Sequence, residues 1–408
     1  MGGEETIGER LRRLREERGL AQRDVIAPGV SAQYISKIER GQRNASVKAL
    51  RKLAENLGVS AQYLETGHDP AEIELRAFRL DDAELALRLG DDPAASAESF
   101  RTILAEAAAS GDGAAATRAR LGLGILAARH GDHEQAIELL EPAVATAWVT
   151  PLAHADAYTT LGHSYSSARR GDDAIALFRG CLDELLGGEP VTSAAVVRFA
   201  TYLSFAYQDE GALDEAREAL DLALRHGSEI SDPYSAIRVH WAAARLAAHA
   251  GDYRTAQLGV ARAISLLEAT EDTVQLARAH LLGTEIALWD GDLETAAEHL
   301  EAAERILPGS PALQDRAGLR IQQAFVAART GEAAIAIDLA NEAVGFLGER
   351  EDAAIRGRAY WALGEAYAAA GAVASARKAF TEASELIPPG TKDADRLLEA
   401  WKRAVPAD

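Results

Sequence analysis

The sequence predicts an all-α protein, a five-helix head followed by an α-solenoid with repeats of about 40 residues. Three observations carry that prediction. Glycine recurs every 40 residues at Gly131, Gly171, Gly211, Gly251, Gly291, Gly331 and Gly371. Apolar residues fall at helical spacing along the chain, and serines and glycines stand where helices of the head should start and stop. At 408 residues the chain exceeds one ordinary core, whereas a stacked array can grow without limit of that kind.

In chain order, residues 6 to 19 read as a first helix. Ile7, Leu11 and Leu14 point inward, Arg10, Arg12, Arg13 and Arg15 fill the other faces, and Gly19 ends it. Gln22 to Ala27 reads as a short second helix stopped by Pro28-Gly29. The third, after Val30, is capped by Ser31, turns Ile35 and Ile38 inward, leaves Gln33, Ser36, Lys37 and Arg40 outside, and stops at Gly41. Ser46 caps a fourth helix with Val47, Leu50, Leu53 and Leu57 inward, closed by Gly58, and a fifth follows around residues 60 to 64.

This arrangement resembles the phage-repressor/Cro-like (XRE-type) helix-turn-helix domain over residues 7 to 66. The most specific pieces are Tyr34-Ile35-Ser36-Lys37-Ile38-Glu39-Arg40-Gly41-Gln42-Arg43-Asn44-Ala45-Ser46 and, after it, Leu53-Ala54 with Leu57-Gly58-Val59-Ser60. The resemblance implies that the third helix enters the DNA major groove, with Ala32, Gln33, Ser36 and Lys37 near base edges and Gln22, Arg43 and Asn44 near phosphates. Gln bonds adenine N6 and N7, and Lys reaches guanine O6 and N7, so the residue types suit those places. It further implies a structural ion pair between Arg15 and Glu39. The chain departs from the family at Ala21, where Ser or Thr is usual, and at Pro28, which ends the second helix about one residue early.

The head spans residues 1 to 66, and residues 67 to 110 form a linker, Thr66-Gly67-His68-Asp69-Pro70, and an irregular hairpin broken at Gly90-Asp91-Asp92-Pro93. Seven hairpin repeats fill 111 to 390, and 391 to 408 supplies a capping helix and tail. Each repeat glycine is followed by a small residue, Ala136, Ala174 or Ala176, Ala216, Ala256, Ala296, Ala336 and Ala376, which lets paired helices approach closely. The repeat resembles the tetratricopeptide type. Leu161-Gly162-x-x-Tyr165 and Leu363-Gly364-x-x-Tyr367 match its first helix, Ala376-x-x-x-Phe380-x-x-Ala383 its second, and Pro308 and Pro388 its terminal proline.

That resemblance implies a concave face lined by first helices. One position on it carries Arg118, Arg198, Arg238, Arg278 and Arg358, broken by Asp156 or Tyr158, depending on register, and by Gly318. Phe205, Trp241, Trp289, Phe325 and Trp361 interleave, with His163 and His249. The row reads either as a groove for a carboxylate, phosphate, peptide or mid-sized organic ligand, or as arginines paired with acids of adjoining repeats. Regulators with this plan hold peptide backbone with asparagines, and this solenoid has a single one, Asn341.

Charge separates the two parts. Residues 1 to 66 net +3 and the remainder −23, within a total of −20, so phosphate contact is expected of the head alone. Cys181, the single cysteine, excludes an internal disulfide. The start Met1-Gly2-Gly3-Glu4-Glu5 lacks a signal-peptide pattern, and no apolar stretch reaches the roughly 20 residues of a membrane span, so a soluble cytoplasmic protein without membrane association is expected. There is no phosphate-loop, H-E-x-x-H or zinc pattern, and His130 and His133 lack a third ligand nearby; no enzyme, cofactor or metal is expected. The expected function is a sequence-specific transcription regulator on a two-fold operator of double-stranded DNA, a homodimer through its solenoid, sensing a peptide, small molecule or protein. The alternative is an interaction scaffold with a tethering head.

Overall fold

The computed structural model describes residues 5–67, 69–90, 92–227, 232–310, 312–348 and 353–404. His68 of the expected linker, Asp91 of the expected break and Met1, Gly2, Gly3 and Glu4 lie outside the described residues. The regular elements among the described residues are helical, apart from one bridge joining Ala27 and Val30. None of these helices is long and apolar enough to cross a membrane. Two compact units are present, residues 1–123 and residues 124–408.

The head is built from α1 (Ile7–Glu17), a 3-10 turn (Gln22–Val25), α2 (Ala32–Glu39), α3 (Val47–Leu57) and α4 (Ala61–Thr66). Thr6 caps α1 reciprocally, since its hydroxyl accepts the Glu9 N–H at 3.3 Å while the Glu9 carboxylate accepts the Thr6 N–H at 2.9 Å. Ser31, Ser46 and Ser60 each accept an N–H from three residues onward. Leu11, Leu14, Val25, Val30, Ile35, Ile38, Leu50, Leu53, Leu57 and Leu64 make one core.

Three head expectations change. The second helix is only the 3-10 turn, because Ile26 is already extended ahead of Pro28. Val47 is 63% exposed at the first position of α3, so the inward face begins beyond it with Ala49 and Leu50. Arg10 is buried, and it donates to the carbonyls of Leu64 and Glu65 at 3.0 Å each, terminating α4.

A hairpin of α5 (Pro70–Leu89) and α6 (Pro93–Ser110) follows. The repeats then run as α7 (Gly113–Arg129) with α8 (His133–Val144), α9 (Ala155–Ser167) with α10 (Gly171–Gly187), and α11 (Ser193–Asp209) with α12 (Leu213–Gly227). They continue as α13 (Pro233–His249) with α14 (Tyr253–Glu268), α15 (Thr273–Asp290) with α16 (Leu293–Glu304), α17 (Leu313–Thr330) with α18 (Ala333–Phe346), and α19 (Ala353–Ala369) with α20 (Val373–Leu386). α21 (Lys392–Ala404) closes the array.

The period has a local cause. Gly131, Gly211, Gly251, Gly291, Gly331 and Gly371 adopt positive φ at the turn between paired helices, and Ala136, Ala174, Ala216, Ala256, Ala296, Ala336 and Ala376 are fully buried where those helices cross. Gly171 breaks the rule. It begins α10, Arg169 takes the left-handed conformation instead at φ 62°, and a Cβ on Gly171 would overlap the Glu210 carboxylate of the next hairpin. Gly162 and Gly364 leave notches filled by the rings of Phe178 and Phe380.

Within residues 124–408 the coil returns on itself. Arg169 donates to the Glu385 carbonyl at 3.0 Å, and the Gly390 carbonyl packs against Gly211. The second hairpin therefore touches the last turn of α20, and the third touches the connection between α20 and α21.

Candidate functional site

α2 is held so that one face stays free. Ile35 and Ile38 are buried, Gln33 and Lys37 are exposed, and Ala32 and Ser36 are half-buried beside them. Residues 32, 33, 36 and 37 share a face at helical spacing. The Ser36 hydroxyl accepts the Arg40 guanidinium, which adds Arg40 to the same face. Its i, i+4 relation to Ser36 is the signal in the sequence that marks it. Tyr34 anchors the following loop: its hydroxyl donates to the Asn44 carbonyl at 3.4 Å and accepts the Ser46 N–H at 3.2 Å, while the Arg43 guanidinium lies 4.8 Å from its ring centroid. Arg43 and Asn44 are thereby presented at the surface, and Tyr34, which the sequence motif contains, gains an anchoring role that the motif alone does not assign.

Glu39 ties α2 to the rest of the head. Its carboxylate, 5% exposed, accepts Arg15 Nε at 2.7 Å and Nη2 at 3.1 Å. It also accepts Gln22 Nε2 at 2.8 Å, so Gln22 is turned inward rather than toward a phosphate. The reason is a carboxylate with little water, which needs donors beyond one guanidinium. Ala21 gives no side-chain cap, and only the return half of a capping box is present, the Asp24 carboxylate accepting the Ala21 N–H at 2.7 Å. Asn56 donates to the carbonyls of Val25 and Ile26 at 3.2 and 3.1 Å and fixes the turn before α2. Gly8 lets α1 meet the end of α2, since any Cβ there would overlap the Ile38 carbonyl.

The arginine row differs from an open anion seat, because each member is partnered. Arg118 pairs with Glu84 at 2.9 Å and Asp81 at 2.5 Å, Arg198 with Asp156 at 2.6 Å, Arg278 with Asp315 at 2.7 and 3.0 Å, and Arg358 with Glu285. Arg238 has the weakest partners, Ser235 Oγ at 3.3 Å and Asp232 at 4.0 Å, with its Nε unbonded. Burial, followed by repulsion from Arg198, lowers its pKa. These pairs mostly join first helices of neighbouring hairpins, where the acid supplies the countercharge that a ligand would. His163 is exposed and meets the His133 ring edge-on at 5.4 Å; Trp241 packs beside Ile237 and Ala244. Asn341 sits on α18, bonded to its own helix, so it lines no first-helix face.

What the structure does bring together lies at the C-terminal end of the solenoid. A cavity of about 600 Å³ opens between α15, α17, α19 and α21, lined by Trp289, Trp361, Arg329, Glu365, Arg396 and Glu399 among others. The Arg396 guanidinium stacks 3.4 Å over Trp289 and donates to the Ala248 carbonyl at 3.0 Å. Trp361 donates its indole N–H to Glu365 at 3.0 Å and meets Phe325 edge-on. His249 lies against Trp289 and near Arg245, Arg358, Arg396 and Asp393; burial, then Arg245, pushes its pKa down to about 3. Arg396 and Glu399 escaped the sequence reading because α21 looked like a cap alone.

Comparison with known proteins agrees with both parts. A helix-turn-helix family model matches residues 11–64. The HTH-type transcriptional regulator y4dJ of Sinorhizobium fredii is 48% identical over 64 residues, 15% of this chain and 83% of that protein. Among solved structures, the apo form of the quorum sensor NprR from Bacillus thuringiensis superposes with a TM-score of 0.56 at 12% identity, covering 94% of this chain and 97% of that one. The Rap conjugation gene regulator of plasmid pLS20, in complex with the Phr* peptide, gives a TM-score of 0.53 at 14% identity with 97% of each chain covered. The structural likenesses establish the helical solenoid fold, and the head carries the family: the chain belongs to the XRE-type helix-turn-helix transcriptional regulators, with a tetratricopeptide-like body.

Proposed function

We propose that the protein binds a two-fold operator as a cytoplasmic homodimer, reading bases with Gln33, Lys37 and Ser36, and that a ligand in the C-terminal cavity of its solenoid modulates that binding. The observation that carries the reading is α2 itself. Its exposed polar face holds no residue needed by the core, while Glu39 and Tyr34 hold the helix and its loop from behind. Arg43 and Asn44 stand where a backbone phosphate can be met. Gln33→Ala or Lys37→Ala should cost about 1 to 3 kcal/mol on the operator and relax preference at one base step. Titrations by fluorescence anisotropy against operator and random duplexes decide it; equal losses on both would remove the base-reading role.

The ligand part rests on the cavity rather than on the arginine row. Two tryptophan walls with guanidinium and carboxylate groups suit a peptide or a mid-sized organic molecule carrying both charges. The peptide held by the pLS20 regulator is consistent with that chemistry. Because α21 forms one wall, occupancy favours one setting of α21 by the difference in its affinity for the two settings. A bound ligand should slow hydrogen exchange in α21; unchanged exchange would place the ligand elsewhere.

A further inference from the structure

One face of α5 is uncovered. Arg76, Leu80, Ala83 and Leu87 are buried within their own unit, and Arg76 is bonded to Asp112 of that unit at 2.7 Å. Leu75, Phe78, Leu85 and Leu89 are instead 59%, 69%, 46% and 70% exposed. At about 100° per residue the two apolar stripes lie roughly 150° apart, so α5 is patterned to be covered on both sides. With Asp82, the outward stripe has the alternating spacing of three and four residues that makes a coiled-coil seam.

We propose that this seam pairs antiparallel with the same seam of a second copy of the chain, and that α5, not the solenoid, holds the dimer together. The proposal rests on the two-fold reading above. Four large apolar side chains leave on the order of 400 Å² open, the size at which a monomer's patch usually marks an interface. A single α5 pair remains smaller than a standard interface of about 800 Å² per partner, so the dimer is reversible.

Pairing centred on Asp82 sets Leu75 opposite the partner's Leu89, and Phe78 opposite the partner's Leu85. Glu74 then meets the partner's Arg88, twice by symmetry. Asp81, which would face its own copy, is already neutralised by Arg118 at 2.5 Å. Asp82 alone meets a like charge, which fixes register and weakens the pair. Direction follows from the heads. α5 starts shortly after α4 ends, at Pro70. Antiparallel helices crossing at Asp82 separate the two Pro70 ends by about 36 Å, from 24 residues at roughly 1.5 Å rise. Successive half-sites lie about 34–36 Å apart, whereas parallel pairing would leave the ends only about 10 Å apart.

The test is sedimentation velocity of the full-length chain over a concentration series. Wild type should dimerise reversibly, Phe78→Glu with Leu85→Glu should weaken dimerisation at least tenfold at unchanged helicity, and Asp82→Leu should tighten it at least tenfold. Chains carrying Leu75→Cys mixed with chains carrying Leu89→Cys should form a crosslinked heterodimer, with native Cys181 buried and silent. A dimer indifferent to the double variant would overturn the α5 seam while sparing the two-fold reading, and Leu75→Cys chains crosslinking to themselves would overturn the antiparallel arrangement. A wild type that stays monomeric even on operator DNA would remove both.

Discussion

Glu39 illustrates what the proposed reading helix requires from residues behind its exposed face. Its carboxylate collects Arg15 and Gln22, linking α1, the 3-10 turn and α2 through one side chain. Glu39→Ala should strip both donors of their partner and cost about 3 kcal/mol, seen as a lower thermal midpoint of the full-length protein with operator affinity falling in step. A variant as stable as wild type would show the cluster to be superficial. The Arg15–Glu39 contact was legible through family resemblance. Gln22 was not, because an amide on a short turn can face water or a carboxylate with equal local propensity, and the choice is made by a residue 17 positions away. Gly8, Asn56 and Tyr34 were likewise hidden, since each acts on backbone atoms that only tertiary packing brings near.

At the scale of elements, the repeat was legible because its causes are local: a left-handed glycine, a buried alanine, and an apolar stripe. Gly171 shows the limit, for the 40-residue spacing is kept while its reason changes from turn geometry to contact with Glu210. The arginine row was legible as a row, with pairing to acids of adjoining repeats as one of its two readings, but which acids was not, since periodicity locates side chains on a face without locating their countercharges. Asp315, 7% exposed beside Arg278, is such a countercharge. α21 is the element whose role grew most, with Trp401 stacked on Phe380 at 5.8 Å and Arg396 reaching α13 and α15. That junction should be sensitive to acid. His249 is held neutral with a pKa near 3, against 6.5 for a free imidazole, so the unfolded chain takes up a proton first as pH falls. Stability contributed by the neutral form is complete above about pH 6.5 and is lost progressively toward pH 3, amounting to about 2 kcal/mol by pH 5. Thermal midpoints at pH 7 and 5 should therefore diverge more for wild type than for His249→Gln; equal divergence would exclude this histidine.

For the molecule as a whole, charge and architecture assign separate tasks to separate parts. The head carries the excess of basic residues and presents a polar helix face, while the acidic solenoid holds an aromatic cavity and sets acids against Arg198, Arg278 and Arg358 of its arginine row. That division could be read from the sequence almost entirely, because net charge, helix caps and a long repeat survive without knowledge of contacts. Which surface would join two chains in the proposed dimer is harder to read, since an apolar residue at helical spacing looks the same whether its partner lies in the same chain or another, and the expectation of a solenoid interface rests on no particular residue. Sequence-specific binding by the head is decided by selection of genomic fragments with the full-length protein at physiological salt. The expected result is enrichment of one two-fold motif, bound at least 10³-fold more tightly than random DNA and with affinity falling steeply as salt rises. Recovery of unrelated fragments with uniform affinity would contradict it.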